Sequence, residues 1–526
     1  MERMLAAFAR VKPIERCHTE KETLKKCLGL VDLIAYGVGC SVGAGVYSLV
    51  GVGAQIAGPA ISLSFLVSGV ACIFTSLTYS EFAARVPVTG SAYTFVYITF
   101  GELAAWLIGW NLTLGYGISA AGIARSWASY LELFLGHFGL VIPHWLVAMD
   151  IGGMSCSILA ACLILGCTFI LLAGVHESAK FNAFVTLLNI TVLGFVIIYG
   201  TTEADVTNWT PFMPSGMHGV MTGAGVVFFS YLGFDMVACL AEEVTDPQRT
   251  LPKGIIGSLL ISMTIYVGVS LVITGMAPVS VLGSEVPLVN AFSYHNLAWA
   301  GRVVSFGSMF GLTTAAFTCL MGQPRIFYQM ARDGLLPKRF ANLNKKTHVP
   351  VMSTIFTGLL VGAISFVFDL DFLANVISCG TLQVFTFVNA GVLLLRMNPP
   401  RQHCGVTTRV VVFIIACFAL SLSFVFDLHW AVHLIMVIFV AGSFAAIQSL
   451  DKISEDVTSF QCPLVPLVPC LGIIANIYMM SSLPISGWCT HRIGVLIWLG
   501  LGLSVYVFYG VHHSELVDSR ASIPLL

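Results

Sequence analysis

The sequence predicts an all-α integral membrane protein of about fourteen transmembrane helices, its core formed by two inverted five-helix repeats with broken helices 1 and 6. Three observations carry that prediction. Of the residues 57% are hydrophobic and only 10% are charged, against roughly 25% charged in a soluble domain, and the mean hydropathy is +0.90. Apolar stretches of about 20 residues, each long enough to cross a hydrocarbon core of about 30 Å, recur along the whole chain. Two are interrupted: the first by Gly37-Val38-Gly39-Cys40-Ser41-Val42-Gly43-Ala44-Gly45, and the sixth by Gly223, Gly225 and Phe228-Phe229-Ser230-Tyr231-Leu232-Gly233-Phe234-Asp235. In hydrocarbon a broken backbone persists only where protein or a bound solute satisfies its freed N–H and C=O groups, so paired interruptions mark a site near the midplane.

The stretches begin near Leu30, Pro59, Ala92, Gly153, Ala179, Gly219, Gly254, Leu297, Val351, Phe372, Val410, Trp430, Pro463 and Arg492. Ahead of the first, the chain is polar and basic, with no short apolar region before a small-residue cleavage site, so the first span is expected to direct its own insertion. With that segment in the cytosol, only Arg125, Arg302 and Arg492 of the 25 Lys and Arg fall near outer ends. The inner loop after the eighth span holds Arg332, Lys338, Arg339, Lys345 and Lys346, and outer residues 201–218 hold none. That bias supports the orientation. The chain divides into a cytosolic segment 1–28, a ten-helix transport core 29–397, four accessory helices 398–511 and a cytosolic tail 512–526.

A net charge of −1 gives no reason to expect nucleic acid as a partner; the expected partners are the lipid bilayer and a small-molecule amino acid. The 15 cysteines are scattered without a C-x-x-C pair and read as small packing residues. The 13 histidines show no metal spacing, so no metal or cofactor is expected. With no paired nucleophile and base in the sequence, an enzyme is not expected either.

Gly37-x-Gly39 followed by Gly43 superficially resembles a dinucleotide loop, but that motif needs a preceding strand and a βαβ unit, which this pattern lacks. The glycines could instead be close-packing points between straight membrane helices. If the helices are broken, free N–H groups at a half-helix start suit a carboxylate and carbonyls at the other half's end suit an ammonium. An α-amino acid carries both. Asp235, among apolar residues, would cost roughly 2.5–3.5 kcal/mol at mid-bilayer. It reads as a contact for a cationic side chain, a support for the broken helix, or an acceptor for internal backbone N–H groups. Glu242-Glu243 and Asp246-Pro247-Gln248-Arg249 close the sixth span as a gate or as a solvated loop.

These residues resemble a family. Gly37-Val38-Gly39 through Gly43-Ala44-Gly45-Val46-Tyr47, then Glu81-Phe82-Ala83-Ala84-Arg85-Val86-Pro87-Val88-Thr89-Gly90-Ser91-Ala92-Tyr93, Gly109-Trp110-Asn111-Leu112 and Ala124-Arg125-Ser126-Trp127 carry the likeness. It continues through Gly233-Phe234-Asp235, Glu242-Glu243, Pro324-Arg325, Asp333-Gly334-Leu335-Leu336 and Gly380-Thr381-Leu382. In this order the motifs resemble the cationic amino acid transporters of the amino acid, polyamine and organocation superfamily, and they cover spans one to ten. The resemblance implies the substrate carboxylate at the backbone of Ser41, Val42, Gly43, Ala44 and Gly45. It implies the α-amino group at carbonyls around Val38 and Gly39 and from Phe229, Ser230 and Tyr231, with Phe229 covering the site.

Three positions, set against different relatives, bear on mechanism. Where bacterial proton-coupled relatives have a lysine in the fifth span, the matching residue is Asn189, which does not titrate near neutral pH. That favours facilitated uniport or exchange. Cys319 on the eighth span falls where broad-specificity bacterial relatives have a bulkier residue and cationic-selective members a small one, leaving room for a long side chain. Gly115 replaces a polar or acidic residue of relatives, which weighs against a cationic preference. Lys180 reads as a snorkelling interfacial lysine.

The sequence therefore reads as an amino acid carrier, with arginine, lysine and ornithine first. A neutral amino acid or polyamine carrier and a non-transporting membrane sensor are the alternatives. The plasma membrane is the first expectation for location, with lysosome or vacuole second; Asn208-Trp209-Thr210 is a glycan acceptor sequon in an outer loop, and the terminal Leu525-Leu526 does not decide.

Overall fold

A computed structural model of the chain describes residues 10–15, 26–151, 154–283, 286–368, 370–397, 403–453, 459–483 and 488–516. Most of the segment 1–28, the tail with Leu525-Leu526 and the side chain of Lys180 lie outside the described residues. Among the described residues nine helices are long and apolar enough to cross a membrane, accompanied by four shorter apolar helices, Leu30–Ser41, Ile158–Ala173, Val351–Val367 and Leu467–Ser481. Strand among them is confined to one antiparallel hairpin, Met149–Ile151 with Met154–Cys156.

Burial runs opposite to that of a soluble domain. Phe169 and Ile198 are 77% and 76% exposed, whereas Glu81, Asp235 and Gln329 are each 0% exposed. An apolar outside around a polar inside is the arrangement that hydrocarbon solvent selects. Side-chain donors then join helices to one another: Ser64 and Ser68 of helix Ile61–Arg85 donate to the carbonyls of Val220 (2.8 Å) and Ala224 (2.7 Å). Trp106 and Trp110 donate to the carbonyls of Gly502 (2.8 Å) and Trp498 (2.9 Å), fixing helix Trp488–Val505 to helix Glu102–Thr113.

The third span does not start at Ala92 as the hydropathy predicts. Ala92–Thr99 is a separate short helix, and the chain turns at Gly101, whose φ of 99° favours a residue without Cβ, before Glu102–Thr113 begins. That helix passes through a π turn, Leu114–Ile118, into Ser119–Gly136. Hydropathy cannot see the turn because both sides of it are apolar. In the outer-loop sequon, the Asn208 side-chain amide donates to the Gly275 carbonyl at 2.7 Å.

Candidate functional site

The glycine run divides into two kinds. Gly37 and Gly39 lie inside the regular helix Leu30–Ser41, where a Cβ would stand 2.5 Å from Ser258 Oγ and 2.5 Å from Thr186 Oγ1 respectively. These are close-packing glycines. The interruption comes only after Ser41, at Val42 and Gly43. Val42 (φ −80°, ψ 76°) donates its N–H back to the Val38 carbonyl at 2.8 Å, and a π turn Gly45–Leu49 then leads into helix Val50–Ala57. The N–H groups that open a helix have no partner within it. Of these, Val46 and Tyr47 reach the Gly43 carbonyl at 3.2 and 3.3 Å.

The second interruption follows helix Gly216–Val227 and the tight turn Phe228–Tyr231. Leu232 turns extended and Gly233 takes φ 138°, a conformation nearly closed to L side chains, before the 3-10 helix Asp235–Glu243. Asp235 makes this turn hold. One carboxylate oxygen accepts the Gly233 N–H at 3.1 Å and the other accepts the Tyr116 hydroxyl at 2.9 Å, with the residue fully buried. Of the readings open in the sequence, the geometry fits the helix support and backbone acceptor; both oxygens are engaged inside the protein.

The two interruptions pack face to face. A Cβ on Gly233 would lie 2.5 Å from Ser41 Oγ and 2.7 Å from Ser41 N, and one on Gly45 would strike the Ser230 side chain and come within 2.5 Å of its Cα. The Ser230 hydroxyl is buried there with no partner among the described residues. The Phe229 carbonyl accepts the Leu232 N–H (3.2 Å), the Ser230 carbonyl accepts the Tyr266 hydroxyl (2.7 Å), and the Tyr231 hydroxyl donates to the Phe65 carbonyl (2.6 Å). Carbonyl oxygens have two lone pairs, so these bonds leave acceptor capacity at both.

Asn189, on helix Val175–Thr202, reaches the first interruption directly: its amide nitrogen donates to the Val42 carbonyl at 3.0 Å, and its oxygen accepts the Tyr47 hydroxyl. Tyr130 then donates to the Tyr47 carbonyl at 2.7 Å. Cys319, in helix Ala298–Arg332, faces the end of the first half-helix, its sulfur 3.5 Å from Cys40 Sγ. Gly115 lies in the π turn opposite Thr381, whose Oγ1 would be 3.0 Å from a Cβ there. Tyr47, quoted only inside a family motif, and Tyr116 and Tyr266 were given no role from the sequence. A buried tyrosine must find a partner for its hydroxyl, which flags all three but not what they bind.

Glu242 and Glu243 are not a solvated loop. Both are buried: Glu243 accepts Arg325 Nη2 at 2.6 Å and Nε at 2.9 Å, and Glu242 accepts the Thr89 N–H at 3.1 Å and meets Arg332 at 3.4 Å. Beside the Arg325 pair is a cavity lined among others by Leu171, Met321, Tyr328, His348 and Thr354. It lies at this end of the helices rather than between the interruptions, which are closed on each other.

Long apolar helices around a buried polar interior, two of them interrupted where they meet, define a multi-pass membrane protein. The chain belongs to the amino acid permease family, whose model matches residues 28–450, and residues 460–514 match the model for the C-terminus of such permeases. It is 34% identical to cationic amino acid transporter 4, vacuolar, of Arabidopsis thaliana, over 99% of this chain and 98% of that protein. It is 38% identical to cationic amino acid transporter 9, chloroplastic, of the same plant (94% and 90% covered), and 33% identical to the methylthioribose transporter of Bacillus subtilis (97% and 100% covered).

Proposed function

We propose that this chain carries amino acids across a membrane by alternating access, with arginine, lysine and ornithine as first substrates and no covalent chemistry. The observation that carries the reading is the meeting of the two interruptions, with the Ser230 hydroxyl unpartnered among the described residues beside Gly45. Donors of this kind fit a carboxylate at the first interruption, from Ser41 to Gly45, and the carbonyls of Phe229 and Ser230 fit an α-amino group. Fourteen spans, two inverted five-helix repeats in residues 29–397 and accessory helices in 398–511 are the architecture proposed around this site. The corresponding positions of the interruptions support it. The location proposed is the plasma membrane, with the vacuole as alternative since one full-length relative is named vacuolar.

Preference for cationic substrates rests on the full-length likeness to two transporters named for them. A neutral substrate is the second reading, favoured because Asp235 spends both oxygens internally and Gly115 offers no acid. Uptake of radiolabelled arginine into liposomes holding the purified protein, challenged with a panel of unlabelled cationic and neutral amino acids and spermidine, separates the two. Saturable binding without uptake would replace the carrier by a sensor.

Asn189 predicts how uptake responds to pH. A neutral amide holds the Val42 carbonyl where a lysine would titrate, so wild-type uptake should vary little between about pH 5.5 and 7.5. Asn189→Lys should make it pH-dependent. Proton uptake in fixed ratio with substrate in the wild type would defeat facilitated transport. Cys319→Met tests the side-chain space: a misfit of methylene scale is worth roughly 1–3 kcal/mol, or about 10–200-fold. Arginine uptake should fall far more than alanine uptake at matched surface levels, and an unchanged ratio would remove Cys319 from the substrate site.

A further inference from the structure

Three sulfurs from three different helical segments meet beside the interruptions. Cys40 lies in the last turn of helix Leu30–Ser41, Met236 in the half-helix Asp235–Glu243 and Cys319 in helix Ala298–Arg332. Cys40 Sγ is 3.5 Å from Cys319 Sγ and 3.1 Å from Met236 Sδ, and all three residues are almost fully buried. Among the described residues no three His, Cys, Asp or Glu side chains group as metal ligands; here a thioether completes the set.

We propose that Cys40, Cys319 and Met236 form a binding site for one soft monovalent metal ion, of the copper(I) class. A metal–sulfur bond of about 2.3 Å lets two sulfurs on one ion stand up to about 4.6 Å apart, so the 3.1 and 3.5 Å spacings from Cys40 need only open by a few tenths of an ångström to about 1 Å to admit an ion. Thiolate and thioether donors select soft ions such as copper(I) over hard ones. Charge makes the same selection. With Cys40 ionised, its proton released to solvent, and Cys319 and Met236 as neutral donors, a monovalent ion leaves the buried site uncharged. A divalent ion would leave it positive, which burial penalises, and zinc would in addition lack the fourth ligand of its structural sites. The bound ion ties both interrupted helices to helix Ala298–Arg332.

The test titrates purified, reduced, metal-free protein in detergent with copper(I) in the presence of a chromophoric copper(I) chelator. One copper(I) per chain should be retained by the wild type and by a Cys417→Ser/Cys470→Ser control, whose cysteines lie on other helices. Cys40→Ser should lose retention, and Cys319→Ser and Met236→Leu should each weaken it at least tenfold. Size-exclusion chromatography selects variants that remain monodisperse. X-ray absorption at the copper edge of the loaded wild type, which needs no variant, should give an all-sulfur shell at about 2.3 Å. No copper retained by the wild type, equal retention by Cys40→Ser, or nitrogen or oxygen in the metal's shell would each overturn the site.

Discussion

Uptake of radiolabelled arginine by a Gly45→Val variant should fall at least about 5–150-fold at matched surface level, since overpacking a filled interior costs about 1–3 kcal/mol and each 1.4 kcal/mol is tenfold. The atoms in the way make this the severe case. A Cβ at Gly45 meets the Ser230 side chain and, at 2.5 Å, its Cα, and backbone cannot swing aside as a side-chain tip can. The added carbons would separate the two interruptions and cover the Gly45 N–H proposed to receive the carboxylate. Gly43→Val, whose nearest obstacle is the Ala315 methyl at 2.8 Å, should also abolish uptake but leaves the contact between interruptions intact. Gly37→Ala is the comparison that separates site from packing: its Cβ meets Ser258, so it should lower the amount of folded protein more than uptake per molecule. Normal uptake by Gly45→Val would remove the facing interruptions from the transport path.

How much of this was legible follows from what each signal physically reports. Glycines and apolar length disclose where a membrane helix can break, and both interruptions were placed within their spans. The same run could not say which glycine does what. Gly37 and Gly39 pack against Ser258 and Thr186, residues more than 140 positions away, so their role depends on neighbours that local sequence does not name. Gly43 and Gly45 differ only because the helix ends at Ser41.

Charged residues were read less well than glycines. Glu242 and Glu243 sit next to Asp246-Pro247, a pattern shared with solvated loops, and only the approach of Arg325 and Arg332 from helix Ala298–Arg332 buries them. Asp235 posed the reverse difficulty. Its burial was evident from apolar surroundings, but the Gly233 N–H and Tyr116 hydroxyl that occupy it come from a turn and from another helix. The start of the third helix was misplaced because Gly101 and Glu102 are the one short break between two apolar stretches, too brief to lower the hydropathy of a window of span length.

The Arg325–Glu243 pair supports the second large prediction. Arg325→Met should sharply lower the thermal unfolding midpoint of the purified protein, because removing one member of a buried pair leaves the other charge uncompensated at about 3–5 kcal/mol. Glu243→Met should do the same, as Arg325 would keep only the Met321 carbonyl of its present partners. Replacing both partners by well-packed apolar residues is often neutral or stabilising, so Arg325→Met/Glu243→Met should recover most of the loss, a non-additivity that contacting residues show. Uptake should not recover with it. The pair joins the end of the second interrupted helix to helix Ala298–Arg332 beside the cavity at that end, and two charges can part toward water and re-form where two methionines only stay packed. A double variant as unstable as the sum of the singles would mean that the charges do not act as a pair, and one that regains both stability and wild-type uptake would reduce the pair to packing.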